Sequence, residues 1–263
     1  AICSSRSPLR RPGPNPRLES LRSETARPRI RGYIRRGFYA RKDVKGANLT
    51  ETSDSHPRRD VRGVQVFDGF LDAVAQAAMV ADVRAIARAA PFVVPVTRRG
   101  QPLSVRMTSA GLLGWVTDRR GYRYEARHPS GVPWPPIPDS VRAVWDAVVP
   151  GARPPESCLV NWYGPDARMG MHQDRDEGDF NQPVVSISLG DDALFRIGNV
   201  ERGGKTESLW LRSGDVLVLG GAARLLHHGV DRVAPGTSTL LDAPGRINLT
   251  LRVVSDGTSV PSR

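Results

Sequence analysis

From Cys158 onward, short apolar runs alternate with Gly, Asp and Pro: CLVNWYG, VVSISLG, ALFRIGN, ESLWLRSG, DVLVLGG, LLHHGV and RINLTLRVV. Brief β-rich segments with regular punctuation predict an all-β sandwich or barrel for this half. The preceding segment has a longer period. GVQVFDGFL predicts a strand that runs into a helix, and Phe70, Leu71, Val74, Ala78, Val83 and Ile86 then recur at roughly helical spacing until Pro91 ends the pattern. DSVRAVWDAVV predicts a second short helix, with Asp139 or Ser140 available as its cap and Pro150 just beyond. No internal repeat and no convincing linker interrupts this layout. The fold class is α+β, with helices in front and a β-domain behind.

Charge separates a third region. Residues 1–62 hold 16 of the 38 basic and 6 of the 27 acidic residues, an excess of ten positive charges, and the rest of the chain is left at +1. With few apolar residues and no sustained period, this arm is expected to be disordered. It reads as a targeting segment, a solvated tail or a polyanion-binding arm. The expected organisation is a basic tail over 1–62, a folded domain over 63–256 and a short tail over 257–263. No apolar run approaches the ~18 residues a membrane span needs, and the first thirty residues do not read as a secretory signal. The two cysteines, Cys3 and Cys158, fall in different regions, which argues against a disulfide framework.

The stretch MGMHQDRDEGDF places His172 among Asp174, Asp176, Glu177 and Asp179. Such a cluster is either a solvated acidic turn or one wall of a metal site. In an extended strand, positions i and i+2 share a face, so His172 and Asp174 can reach one point. A second imidazole could come from His128, His227 or His228. Neighbours in a strand face opposite ways, so at most one of His227 and His228 serves. Two histidines and one carboxylate leave three octahedral positions open, which suits non-haem Fe(II) in O2-using enzymes.

The last strand changes the odds. In RINLTLR, period two puts Arg246, Asn248, Thr250 and Arg252 on one face and Ile247, Leu249 and Leu251 on the other. Two arginines on the inner side of a sandwich are costly without anions. A dicarboxylic acid such as 2-oxoglutarate meets that need, one end chelating iron and the other taking a guanidinium fork. The competing reading is a solvent-facing strand with only its apolar side buried.

In this order, LVNWYGPDARMGMHQDRDE, VVSISLG, SGDVLVLGG, RLLHHGV and RINLTLR resemble the AlkB group of Fe(II)/2-oxoglutarate dioxygenases. The likeness extends upstream through MTSAGLLGWVTDRRGYRYE and PWPPIP, and covers roughly Gly63 to Val254. It implies a double-stranded β-helix (jelly roll) with supporting N-terminal helices and a nucleotide-recognition lid. Carried over by motif, His172, Asp174 and His228 match the iron ligands, and Asn161, Tyr163, Arg246, Asn248 and Arg252 match the 2-oxoglutarate contacts. Trp115, with Tyr122, Arg123 and Tyr124 of GYRY, matches the lid. The family stacks a flipped base between that Trp and the first iron-ligand His, Asp176 matches a residue that reads the base edge, and Arg202 matches another substrate-side position. Glu177 and Asp179 are left to a solvated turn. Leu219 stands where relatives can carry Trp, and His227 where an aromatic is common.

The resemblance implies oxidative dealkylation of N-alkylated bases with Fe(II), 2-oxoglutarate and O2, releasing succinate, CO2 and an aldehyde. The implied partner is alkylated single- or double-stranded DNA, with RNA as a further substrate, no membrane and a monomeric protein. A bacterial source implies the cytoplasm; the basic arm leaves organellar or nuclear targeting open. The alternatives are an oxygenase acting on protein or a small molecule, a non-catalytic nucleic-acid-binding module, and a zinc hydrolase with the same ligands.

Overall fold

The computed structural model describes residues 58–258; the basic arm before Arg58 lies outside them. Two antiparallel sheets face each other. The larger has seven strands: β1 (Arg58–Val61), β2 (Val64–Phe67), β3 (Val105–Gly111), β6 (Ser157–Tyr163), β8 (Val184–Gly190), β11 (Val216–Leu219) and β13 (Arg246–Arg252), in the order β1-β2-β11-β8-β13-β6-β3. The smaller has four: β7 (Met169–His172), β9 (Asp192–Ile197), β10 (Glu207–Leu211) and β12 (His228–Ala234), in the order β10-β9-β12-β7. A separate hairpin joins β4 (Gly114–Asp118) to β5 (Gly121–Glu125). This is the expected jelly-roll arrangement.

Two apolar clusters hold the layers together. On one side of the large sheet, Val185, Ile187, Leu189, Ile247, Leu249 and Leu251 pack beneath the helices α1 (Ala73–Ala89) and α2 (Asp139–Val148). Between the sheets, Leu159, Phe195, Leu211, Leu217 and Val230 form the second cluster. The period-two reading of β13 therefore holds, and neither of its faces meets solvent: the apolar set closes on the helices and the polar set looks into the space between the sheets.

Helix α1 starts where Asp72 accepts a hydrogen bond from the Ala75 amide (2.7 Å) and buries Met79, Val80, Val83 and Ile86. Val74 and Ala78, expected on that face, are exposed, Val74 at 68%, because they lie one turn apart on the side of the helix turned away from Val83. In α2 the expected cap is also corrected. Pro138 occupies the cap position without a side-chain bond, while Ser140 donates instead to Asp82 of α1 (2.6 Å) and ties the two helices together.

The tail boundary moves as well. Arg58–Val61, assigned to the arm, forms a strand paired in register with β2, and Arg59 makes two 2.8 Å hydrogen bonds to Asp68. This edge strand is almost wholly exposed, so no apolar alternation marks it in the sequence.

Beneath the lid hairpin, Trp134 of PWPPIP donates to the Glu125 carbonyl (2.9 Å), and its indole lies against Gly114 where any side chain would collide with it. Gly114 thereby seats the lid directly on that indole.

Candidate active site

Strands β7 and β12 pair with His172 directly opposite His228. Each imidazole shares its Nδ1 with a backbone carbonyl two residues upstream, Gly170 for His172 (2.9 Å) and Leu226 for His228 (3.0 Å). A carbonyl only accepts, so both Nδ1 atoms carry the proton and both Nε2 atoms present lone pairs. Asp174, just past the end of β7, completes the set: its oxygens lie 3.8 Å from His172 Nε2 and 3.9 Å from His228 Nε2. One ligand atom from each of the three falls within 4.8 Å of the others.

The protonation states suit a cation. Burial alone would raise the Asp174 carboxyl, but the Arg252 guanidinium, His228 and His172 hold it well below the usual carboxylate range. Burial, reinforced by His172, lowers His228 to about 4, so its ring is neutral at pH 7. Asp174 Oδ1 accepts from Arg252 (2.9 Å), while the buried Oδ2 has no hydrogen-bond partner among the described residues. An orphaned carboxylate oxygen beside two imidazole lone pairs is a donor set for a divalent first-row metal, and the residues present fit Fe(II).

A cavity of about 370 Å³ opens from these three residues between the sheets. The large sheet forms one wall, where register places Arg246 opposite Tyr163 and Asn248 opposite Asn161. Arg246 is 1% exposed. It gives one hydrogen bond to Ser188 (2.7 Å), and its Nε and Nη1 have no hydrogen-bond partner among the described residues. Burial lowers it to about 10, still charged at neutral pH. Burial also pushes the Tyr163 phenol up to about 12, keeping it a donor. With two free Arg246 N–H groups and the Tyr163 phenol as donors, this wall can receive a carboxylate. Arg246→Lys is therefore expected to raise the 2-oxoglutarate KM about 10-fold or more, since an ammonium cannot reproduce the fork, while iron affinity, read by anaerobic titration, stays near wild type. An unchanged KM would remove Arg246 from the co-substrate site.

Arg252, paired with Arg246 by strand alternation, is differently placed. It bonds Asp174, and its Nε lies 3.3 Å from Glu177 Oε1, too far off line to count as a hydrogen bond. Its anions are largely supplied by the chain itself. Of the two, Arg246 is the one whose orphaned nitrogens have no ion-paired carboxylate among the described residues.

Glu177 is the principal correction among the acidic residues. Far from a solvated turn, it is 6% exposed. It accepts from Tyr124 of the lid (2.5 Å) and from Arg224 (3.0 Å). Arg224, to which the sequence pattern assigned no role, also donates to the Asp174 carbonyl (2.7 Å) and the Gln182 carbonyl (2.8 Å), pinning both ends of the segment that carries Asp174 and Asp176. The available signal was an arginine inside the apolar run AARLL. Asp179 does sit in a turn, accepting from the Asn181 amide (2.9 Å).

The lid residues divide. Trp115 and Tyr122 line the cavity and stack at 5.4 Å with their rings 17° apart. Trp115 donates to Asp176 Oδ2 (2.8 Å). Tyr124 reaches Glu177 rather than the cavity, and Arg123, on the opposite face of the hairpin, is held by Asp118 and Glu125. Arg202 is not brought to the cavity; it shares a separate surface depression with His227, whose Nδ1 bonds the Asn199 carbonyl (3.0 Å). That position agrees with the expectation that His227 faces away from His228.

Comparison with known proteins follows the same boundaries. The family model described as the 2OG-Fe(II) oxygenase superfamily matches residues 63–252. An alpha-ketoglutarate-dependent dioxygenase AlkB homolog of Caulobacter vibrioides is 54% identical over 197 residues, covering 74% of this chain and 90% of its own. Alpha-ketoglutarate-dependent dioxygenase AlkB of Escherichia coli is 40% identical over 181 residues, covering 66% and 82%. The solved structure of OsALKBH1 superposes with a TM-score of 0.66 at 34% identity, covering 74% of this chain and 99% of that one.

Proposed function

Since this chain belongs to the AlkB group of the 2OG-Fe(II) oxygenase superfamily and is an Fe(II)/2-oxoglutarate-dependent dioxygenase, we propose that it removes alkyl groups oxidatively from N-alkylated bases of DNA, with RNA as a second substrate. The carrying observation is the cavity itself. An orphaned Asp174 oxygen faces two imidazole Nε2 atoms at its inner end, the unpaired Arg246 guanidinium lies on one wall, and an aromatic lid closes the outer end.

His172, Asp174 and His228 would hold the iron. Asn161, Tyr163, Arg246 and Asn248 would hold 2-oxoglutarate, and Arg252 would fix the Asp174 carboxylate. When bound, Fe(II) supplies O2 activation coupled to decarboxylation of 2-oxoglutarate. The rest is done by the chain. Apolar side chains such as Met107, Leu159 and Phe195 line the cavity and keep water from it. Trp115 covers one face of an extruded base and His172 the other. Asp176 spends Oδ2 on Trp115 and leaves Oδ1 to accept from an exocyclic amine. A base must leave its stack to enter, which favours single strands and damaged pairs. Every proposed ligand lies on this one chain, and the working unit proposed is a monomer. Among the described residues no helix is long and apolar enough to cross a membrane.

The test supplies Fe(II), 2-oxoglutarate and O2 and follows N-methylated oligonucleotides by mass. Loss of the alkyl mass with matching aldehyde and succinate supports the reading; succinate formation that leaves every oligonucleotide unchanged overturns it. Trp115→Ala should lower kcat/KM on the oligonucleotide roughly 5- to 150-fold, the value of one base–aromatic stack, and spare decarboxylation measured without nucleic acid. An equal fall in both reactions would make this tryptophan a packing residue instead.

A further inference from the structure

Two turns of nearly the same sequence, Thr97-Arg98-Arg99-Gly100 and Asp118-Arg119-Arg120-Gly121, lie side by side at the outer end of the lid. The first is closed by the Gly100 amide donating to the Thr97 carbonyl (2.8 Å) and the second by β4–β5 pairing. Thr117 joins them by donating to the Val96 carbonyl (3.1 Å). Both glycines have positive φ, 77° and 106°, and each faces the other turn's arginine. A side chain on Gly121 would collide with the Arg98 guanidinium, and one on Gly100 would touch that of Arg119. The two turns thus interlock through their arginines.

All four arginines are exposed. Arg120 pairs with Asp118, which Arg123 also holds (3.1 and 2.9 Å). Among the described residues, Arg98, Arg99 and Arg119 have neither an ion pair nor a side-chain hydrogen bond. Three uncompensated guanidiniums are a sharp concentration in a chain whose residues beyond 62 total only +1. Their place matters equally. Leu103 follows the first turn and Tyr122 follows the second, and both side chains line the cavity. Tyr122, next after Gly121, is 49% exposed while its ring stacks on Trp115.

Resting on the proposed nucleic-acid reading, we infer that the paired RRG turns are a phosphate platform. Arg98, Arg99 and Arg119 engage two or three backbone phosphates of the strand next to the base held in the cavity. Guanidinium forks match phosphate oxygens in pairs, and a stacking face beside them favours a single strand. The platform supplies strand affinity and takes no part in chemistry.

The experiment uses the full chain and its triple variant Arg98→Ala/Arg99→Ala/Arg119→Ala. Binding of fluorescein-labelled unmodified oligothymidylate is measured across a salt titration, with polyglutamate of equal charge as competitor. At about 0.7 per phosphate on single strands, the slope of log affinity against log salt should shrink by about 1.4 to 2 in the variant. Its KM for a methylated oligonucleotide should rise at low salt, with kcat and nucleic-acid-free decarboxylation unchanged. Identical slopes would overturn the platform, as would equal displacement by polyglutamate or a parallel loss of decarboxylation. If the arginine-dependent slope appears but no alkyl group is removed, the dealkylation reading fails while the platform stands. If alkyl groups are removed and the slopes are identical, the platform fails while the dealkylation reading stands.

Discussion

Asp174→Ala leaves no measurable dealkylation and no retained iron: that is the result expected from the geometry, and His172→Ala and His228→Ala should match it. Each residue gives one donor to a three-donor set whose atoms lie within 4.8 Å of one another, so no neighbour replaces a missing one. Asp174→Asn is the sharper variant. It keeps the shape and can still accept from Arg252, but it removes the charge that balances a divalent cation. His227→Ala should stay close to wild type, because that ring points to the Asn199 carbonyl in a different depression. Anaerobic Fe(II) titration followed by turnover on a methylated oligonucleotide checks all five. A dead His227→Ala beside an active His228→Ala would reverse the assignment of the two neighbours.

Arg224→Met should produce the largest loss of stability. The Arg224–Glu177 pair is closed to solvent, with both side chains only 2% exposed. Removing one member of a buried pair costs about 3–5 kcal/mol when the other charge is left unpaired; Glu177 keeps Tyr124 and the nearby Arg252, which places the expected loss toward the lower end of that range. For a domain of this size, each kcal/mol lowers the midpoint by roughly 2–4 °C. Glu177→Gln/Arg224→Met should recover part of the loss, because it removes both charges, although Arg252 then loses a nearby carboxylate. Thermal unfolding of the single and double variants gives the coupling directly. A loss below about 1 kcal/mol in Arg224→Met would show that Arg252 and Tyr124 suffice to hold the Glu177 carboxylate.

The contrast between these sites explains what is legible in the sequence. β13 is legible because its two faces have opposite work, and RINLTLR writes that division in strict alternation. His172 and Asp174 are legible because two residues on one strand face need no tertiary information. The choice between His227 and His228 needs the register of β12 against β7, which strand parity narrows and the family pattern completes. Glu177 is illegible because charge density in a short segment looks the same whether water or arginine neutralises it; the neutralising Arg224 lies 47 residues away. Arg252 groups with Arg246 on strand alternation because both share a face, yet only the fold shows which has a carboxylate beside it. Arg123 groups with the lid through GYRY, whereas hairpin alternation sends it to the other side. β1 escapes notice because an exposed edge strand has no buried face to leave a pattern.

The position of β13 also ties two properties of the protein together. It is the last strand among the described residues, yet it lies inside the large sheet, bonded to β8 on one side and β6 on the other along its whole length. Until residues 246–252 insert, those two neighbours present unpaired edges, a template for association with other chains. The insertion that closes this gap also delivers Arg246 to the co-substrate wall and Arg252 to Asp174. Holding the cofactors and burying the aggregation-prone edges thus depend on one and the same strand, and a nascent chain has neither until that strand is made.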